Sequence, residues 1–241
     1  MLALLFCVLL NSDPDITVNP NRPTFASPAS TTQVAVAEME LGVQDSFLRD
    51  KSALGVVPGL LKYGLVDSFE LRAGFNAASL VSQPGTTNST QGLSLPSFGF
   101  QWMFHDGGIS SGIQVMHTAS TQYNANGTTA NLISSSDLPG GVHVDFNLLL
   151  SWLEDSGKYD RQFAQAVAVS KTLTDKWSFG GEVYTLGPTP MNPRIYSNLY
   201  YVAYKVRPAL VLDFGTDIGL NKNAQKYSVF CGLTVGIHRF R

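Results

Sequence analysis

Residues 68–76 read Ser-Phe-Glu-Leu-Arg-Ala-Gly-Phe-Asn. As a strand they send Phe69, Leu71, Ala73 and Phe75 to one face and Glu70, Arg72, Gly74 and Asn76 to the other. One face is apolar and the other carries full charges. The split recurs with Val142, Val144, Phe146, Leu148, Leu150 and Trp152 against His143, Asp145 and Asn147. It appears again with Leu210, Leu212, Phe214 and Ile218 against Asp213 and Asp217. Strands of soluble sheets average about 5–6 residues, whereas a membrane-crossing strand needs about 9–11, with hydrocarbon outside and a polar lumen inside. The pattern predicts an all-β, antiparallel, up-and-down transmembrane barrel in a bacterial outer membrane, with membrane lipid as its surroundings.

Composition agrees. Charged residues make up 14% of the 241 and apolar residues 44%, with a net charge of −2; soluble domains carry about 25% charged residues. No basic run marks a nucleic-acid surface. Cys7 and Cys231 are too few and too far apart for a disulfide framework or a zinc site, and no cofactor motif is present. Met1 to Leu10 is an apolar run of signal-core length, so residues 1–12 are expected to be an export signal, although no Lys or Arg precedes them. No other apolar run approaches the length of a membrane helix.

Residues 13–31, rich in proline (Pro14, Pro20, Pro23, Pro28), should be extended and irregular, and are expected on the periplasmic side of a barrel spanning 32–241. Eleven strands can be read: about 32–44, 53–63, 68–77, 96–105, 109–117, 140–152, 161–171, 176–185, 195–206, 209–220 and 227–240. Tight joins such as Asp106-Gly107-Gly108 and Thr172-Leu173-Thr174-Asp175 alternate with longer polar ones at 78–95 and 118–139. An odd count conflicts with both termini lying on one side. Twelve strands are therefore expected. The missing one is hidden near 118–160, either around Asp155 to Asp160 or where Thr128 to Ser134 pairs as a strand.

Several pieces, taken in order, carry a resemblance. They are Asn19-Pro20-Asn21-Arg22-Pro23-Thr24-Phe25, Glu38-Met39-Glu40-Leu41-Gly42, Leu61-Lys62-Tyr63-Gly64-Leu65, Phe69-Glu70-Leu71-Arg72, Asn147-Leu148-Leu149-Leu150-Ser151-Trp152, Phe179-Gly180-Gly181-Glu182 and Leu212-Asp213-Phe214-Gly215. Together they resemble the phenol-degradation MetA-pathway family of outer-membrane barrels. The family commonly has Arg where this chain has Lys62, and carries a further strand after Leu-Leu-Leu-Ser-Trp. The resemblance implies a transporter, and suggests hydrophobic or aromatic solutes.

Glu40, Lys62, Glu70, Arg72, Asp145, Glu182, Asp213 and Asp217 all take the luminal parity. Charges in a narrow lumen should pair, for example Glu70 or Glu40 with Lys62 and Arg72. Such pairs either brace the barrel or line a path and set its selectivity. Phe98, Phe100, Trp102 and Phe104, with Trp152, Trp177, Tyr196, Tyr200 and Tyr204, read as interfacial aromatics, and Met103, His105 and Met116 as a softer luminal patch.

These features lead to a passive channel for a small solute of unknown identity. One alternative is a closed, side-chain-filled barrel with a structural or loop-mediated role, and another is a soluble barrel carrier, which requires Phe69, Leu71, Phe146 and Leu148 to point inward. Catalysis is not expected: His143 and Asp145 make the best pair, no neighbouring Ser stands out, and no metal-ligand spacing occurs. The residues leave the oligomeric state open.

Overall fold

The computed structural model of the chain describes residues 15–85, 88–119, 126–155, 157–190 and 192–240. The strands are β1 (Val36–Phe47), β2 (Ala53–Val66), β3 (Phe69–Ser82), β4 (Ser89–Gln91), β5 (Ser94–His105), β6 (Ser110–Thr118), β7 (Gly127–Leu138), β8 (Val142–Asp155), β9 (Lys158–Thr172), β10 (Trp177–Leu186), β11 (Ile195–Arg207), β12 (Leu210–Gly219) and β13 (Tyr227–Arg239). Each pairs antiparallel with its neighbours, and β1 bonds both β2 and β13, which closes the sheet on itself. β4 only hooks onto the far end of β3. Twelve strands form the ring.

The twelfth strand is β7. Its Thr128–Ser134 core pairs with β6 on one side and β8 on the other. No strand is concealed around Asp155 to Asp160, because β8 and β9 run on until Asp155 meets Lys158. The connection at 78–95 is shorter than the residues suggest, since β3 continues to Ser82 and β4 folds back on it. The expected export signal at residues 1–12, with Cys7, lies outside the described residues.

One rim holds Val36, Arg239 and the connections 67–68, 106–109, 139–141, 173–176 and 208–209. The 139–141 turn is made by Gly140 and Gly141 at φ 82° and 72°, the left-handed conformation that suits a tight hairpin. This turn rim faces a loop rim with longer connections, such as 83–93 and 119–126.

The wall faces outward with its apolar side. Leu71, Phe146, Leu148, Leu212, Phe214 and Ile218 are exposed, whereas the intervening Glu70, Arg72, Asp145, Asp213 and Asp217 are buried. Phe69, at the same parity as Leu71, stacks on Phe100 with ring centroids 5.3 Å apart. An outer surface of this kind is stable only against hydrocarbon, so the soluble-carrier alternative fails. Phe98, Trp102, Phe104, Trp177, Tyr196 and Tyr200 are exposed on that surface, and Trp177 packs on Tyr204.

Candidate functional site: the plugged lumen

The proline-rich segment runs inside the ring. Residues 15–35 enter the lumen from the turn rim, cross it and return to start β1. Ile16 and Val18 pack with Val36 and Ala209 near that rim. Ser30 Oγ then donates to Asn19 Oδ1 at 3.0 Å, tying the entering limb to the returning one. On the way out, Ala35 donates its N–H to Gly64 on β2 and accepts one from Phe240.

A segment this rich in proline cannot satisfy its own backbone, and a buried N–H without an acceptor costs about 1–3 kcal/mol. The inward side chains of the wall supply the acceptors. Glu38 takes Asn19 N at 3.1 Å, and Glu40 takes Asn21 N at 2.8 Å and Arg22 N at 3.0 Å. The two oxygens of Glu182 take Phe25 N at 2.7 Å and Ala26 N at 2.6 Å. Glu70 takes Thr32 N at 2.6 Å. Uncharged groups complete the circuit. Asn147 binds both N and O of Ser27 at 2.9 Å, Ser135 Oγ accepts from Ala29 N at 2.7 Å, and Gln101 donates to the carbonyls of Pro28 and Ser30.

The charges also pair with one another. Lys62, wholly buried, lies 3.0 Å from Glu38 and 2.8 Å from Glu40, and donates to Asn19 O. Arg72 lies 2.6 Å from Glu70 and reaches Asn21 Oδ1 at 3.1 Å. The structure thus forms the pairs Glu40–Lys62 and Glu70–Arg72, with Glu38 sharing the lysine. On β12, two strands from β1 in the ring, Asp213 accepts from Arg22 Nε at 3.2 Å and Nη2 at 3.1 Å. The Arg22 guanidinium lies over Gly42 and Gly232, cross-strand partners on β1 and β13.

That cradle requires glycine. A Cβ on Gly42 would stand 2.3 Å from both Cζ and Nη1 of Arg22 and 2.5 Å from its Nη2. Gly42→Ala should displace the guanidinium from Asp213 and loosen the docked segment by about 1–3 kcal/mol, the range for losing charge-assisted bonds. Hydrogen exchange at the Asn21 and Arg22 amides checks this; unchanged protection would contradict it.

Asp217 faces the loop side of the plug and accepts from Ser197 Oγ at 2.5 Å, Tyr184 Oη at 2.5 Å and Gln225 Nε2 at 2.7 Å. Tyr184 stacks on Phe25, with centroids 5.0 Å apart. Asp217, Tyr184 and Phe25, with Arg22, Glu40, Gln44 and Leu199, line a vestibule of about 390 Å³. Toward the turn rim, a second cavity of about 300 Å³ lies between Ser30, Asp106, Ser135 and His143. A larger concavity, about 700 Å³, is an apolar groove among Leu41, Val43, Trp177, Phe214 and Leu233 on the lipid-facing wall. Met103 and Met116 fill the lumen over Gly112 and Gly99, while His105 is exposed.

Asp145 holds His143 Nε2 at 3.0 Å, and Asp137 holds His143 Nδ1 at 2.6 Å. Ser135 donates to Asp145 rather than to the imidazole. This is no nucleophile–base pair.

Inward parity located all eight charged residues in the lumen. It did not reveal that the backbone of residues 19–32 bonds Glu40, Lys62, Glu70 and Glu182. Arg22, Asn147, Gln101 and Ser135 were also missed as site residues; uncharged polar side chains at inward parity were the available signal.

The closed, antiparallel twelve-strand ring is an architecture seen in solved structures. The fold is that of an outer-membrane channel. It resembles the outer membrane channel from Pseudomonas putida F1, with a TM-score of 0.63 and 13% identity over 91% of this chain and 99% of that one. It also resembles the KdgM porin (TM-score 0.62, 8% identity, 83% of this chain, 99% of that one) and the NanC porin (0.59, 10%, 83% and 98%). At these identities the likeness is one of fold. No protein-family model matches the chain, and no curated protein sequence matches it.

Proposed function

We propose that the chain is a passive, non-enzymatic channel for small solutes in a bacterial outer membrane, held closed by its own residues 15–35. The observation that carries this reading is the lumen's occupant: a single peptide segment docked by hydrogen bonds, which leaves the barrel wall complete if it moves. No nucleotide-binding motif is visible in the sequence, so a concentration gradient drives flux. The turn rim faces the periplasm and the loop rim the exterior. The resemblance to the MetA-pathway family supports hydrophobic or aromatic solutes.

Of the eight residues singled out for selectivity, Glu40, Lys62, Glu70, Arg72, Glu182 and Asp213 act, in this reading, both as plug anchors and as the charge lining of the path, and Asp145 and Asp217 as lining. Among the described luminal groups, Glu38, Glu40, Glu70, Asp145, Glu182, Asp213 and Asp217 outnumber Arg22, Lys62 and Arg72. A charged ring of this sign favours cations. Reversal potentials in planar bilayers under a salt gradient should show cation preference, and Asp217→Asn should lower the permeability ratio roughly twofold. Anion preference would contradict the assignment.

The filled lumen also favours a second reading, a closed barrel with a structural or loop-mediated role. Discrete currents from inserted protein would exclude it.

A further inference from the structure

Five carboxylates hold the plug, and four of them have a cation beside them. Glu38 and Glu40 share Lys62, Glu70 has Arg72, and Asp213 has Arg22. Glu182 on β10 has none within ion-pair distance among the described residues. It is buried, and its two oxygens are each occupied by one backbone N–H, from Phe25 and Ala26, at the apex of the plug.

The surroundings of Glu182 are acidic or neutral on every side. Its own strand presents Tyr184, and β9 presents Ala166 and Ala168, which pack on Ala26. β11 contributes Tyr201 and Leu199; β12 contributes Asp213 and Asp217; β8 contributes Asp145. The plug brings Arg22, which is committed to Asp213. The other four plug carboxylates hold their charge against a neighbouring cation, but Glu182 holds its charge only through the two plug amides.

We propose that Glu182 is a proton-operated latch for the plug apex. This deepens the reading of the chain as a plugged channel and rests on it. As a carboxylate, Glu182 accepts both N–H groups. Once protonated, the group loses its charge and one oxygen carries a hydrogen that needs an acceptor of its own, so that oxygen is a poorer acceptor and the bond from Phe25 or Ala26 weakens. The closed arrangement is complete while Glu182 is ionised and weakens as pH falls, so acid opens the channel and neutral pH recloses it. The cation-paired carboxylates keep the two limbs of the plug docked while the Phe25–Ala26 apex lifts off Tyr184.

The test is single-channel recording of the full-length protein in planar bilayers, stepping between about pH 7.5 and about pH 4.5. The open probability should rise roughly tenfold in acid, the population shift expected from losing one charge-assisted hydrogen bond. Glu182→Gln, whose amide cannot accept from both N–H groups, should be open at neutral pH and lack the acid step. A second measurement does not depend on that variant folding: the thiol of Ser27→Cys should react faster with a membrane-impermeant reagent from the loop side in acid. A pH-independent open probability, or an acid step that survives Glu182→Gln, or an unchanged thiol rate, would overturn the latch. Current from a chain lacking residues 15–33 separates the outcomes: if it conducts while the wild type shows no acid step, the latch fails and the channel stands; if it too is silent, the channel reading fails.

Discussion

Removal of residues 15–33 should turn the barrel into an open pore, with a conductance at least about tenfold above that of the intact chain. Eight-strand barrels are filled by their own side chains and sixteen-strand barrels leave a channel; a twelve-strand ring lies between them. Here a peptide occupies the middle of the lumen, as the contacts of Arg22 with β12, Ala26 with β9 and Thr32 with β3 show. Its loss would let water solvate Glu38, Glu40, Glu70 and Glu182, so the exposed carboxylates do not by themselves unfold the wall. The wall is closed by strand pairing alone, β1 to β13 over its whole length. Planar-bilayer conductance of the folded, heat-modifiable variant is the measurement. An unchanged conductance would show that the plug is not the barrier.

Lys62→Met should have the largest effect on stability. The lysine is wholly buried between two glutamates at 3.0 and 2.8 Å, and both glutamates also hold plug amides. Deleting one partner of a buried ion cluster costs about 3–5 kcal/mol, because the remaining charges stay in a poorly solvated place. The expected outcome is a lowered urea midpoint for unfolding from lipid vesicles, followed by tryptophan fluorescence. Lys62→Arg should recover most of the loss, since a guanidinium can serve two carboxylates. Wild-type stability in Lys62→Met would mean that the cluster does not anchor the segment.

Much of the wall was legible because alternation with a period of two is a direct consequence of one apolar and one polar face. Leu212, Asp213 and Phe214 needed only that rule. β7 escaped it for a physical reason: Ile133 points into the lumen and Ser134 outward, and the outer face otherwise offers little beyond Ala130 and Leu132. The odd strand count still exposed the gap, because topology constrains what local pattern does not.

The plug illustrates a different limit. Pro20, Pro23 and Pro28 mark their segment as irregular, and residues 15–31 form no regular strand or helix, but an irregular segment carries no periodicity from which a location can be read. The wall glutamates were placed by parity, and their pairing with Lys62 and Arg72 followed from the cost of isolated charge. That their remaining oxygens serve backbone amides could not be seen, since every non-proline residue offers the same N–H. Gly42 and Gly232 were equally silent: only the course of Arg22 across them gives them a role.

The central claim, that residues 15–35 sit in the lumen and close it, is tested most directly by tethering the plug in the membrane-inserted protein. Cys7 and Cys231 would first be replaced, and Ser27→Cys and Asn147→Cys introduced, two positions whose native side chains and backbone bond at 2.9 Å. A short, reducible bis-thiosulfonate linker should then join them within one chain, and the joined protein should be silent in planar bilayers until reductant restores the current. Failure of the pair to cross-link in folded protein, or full current through the cross-linked form, would contradict the account.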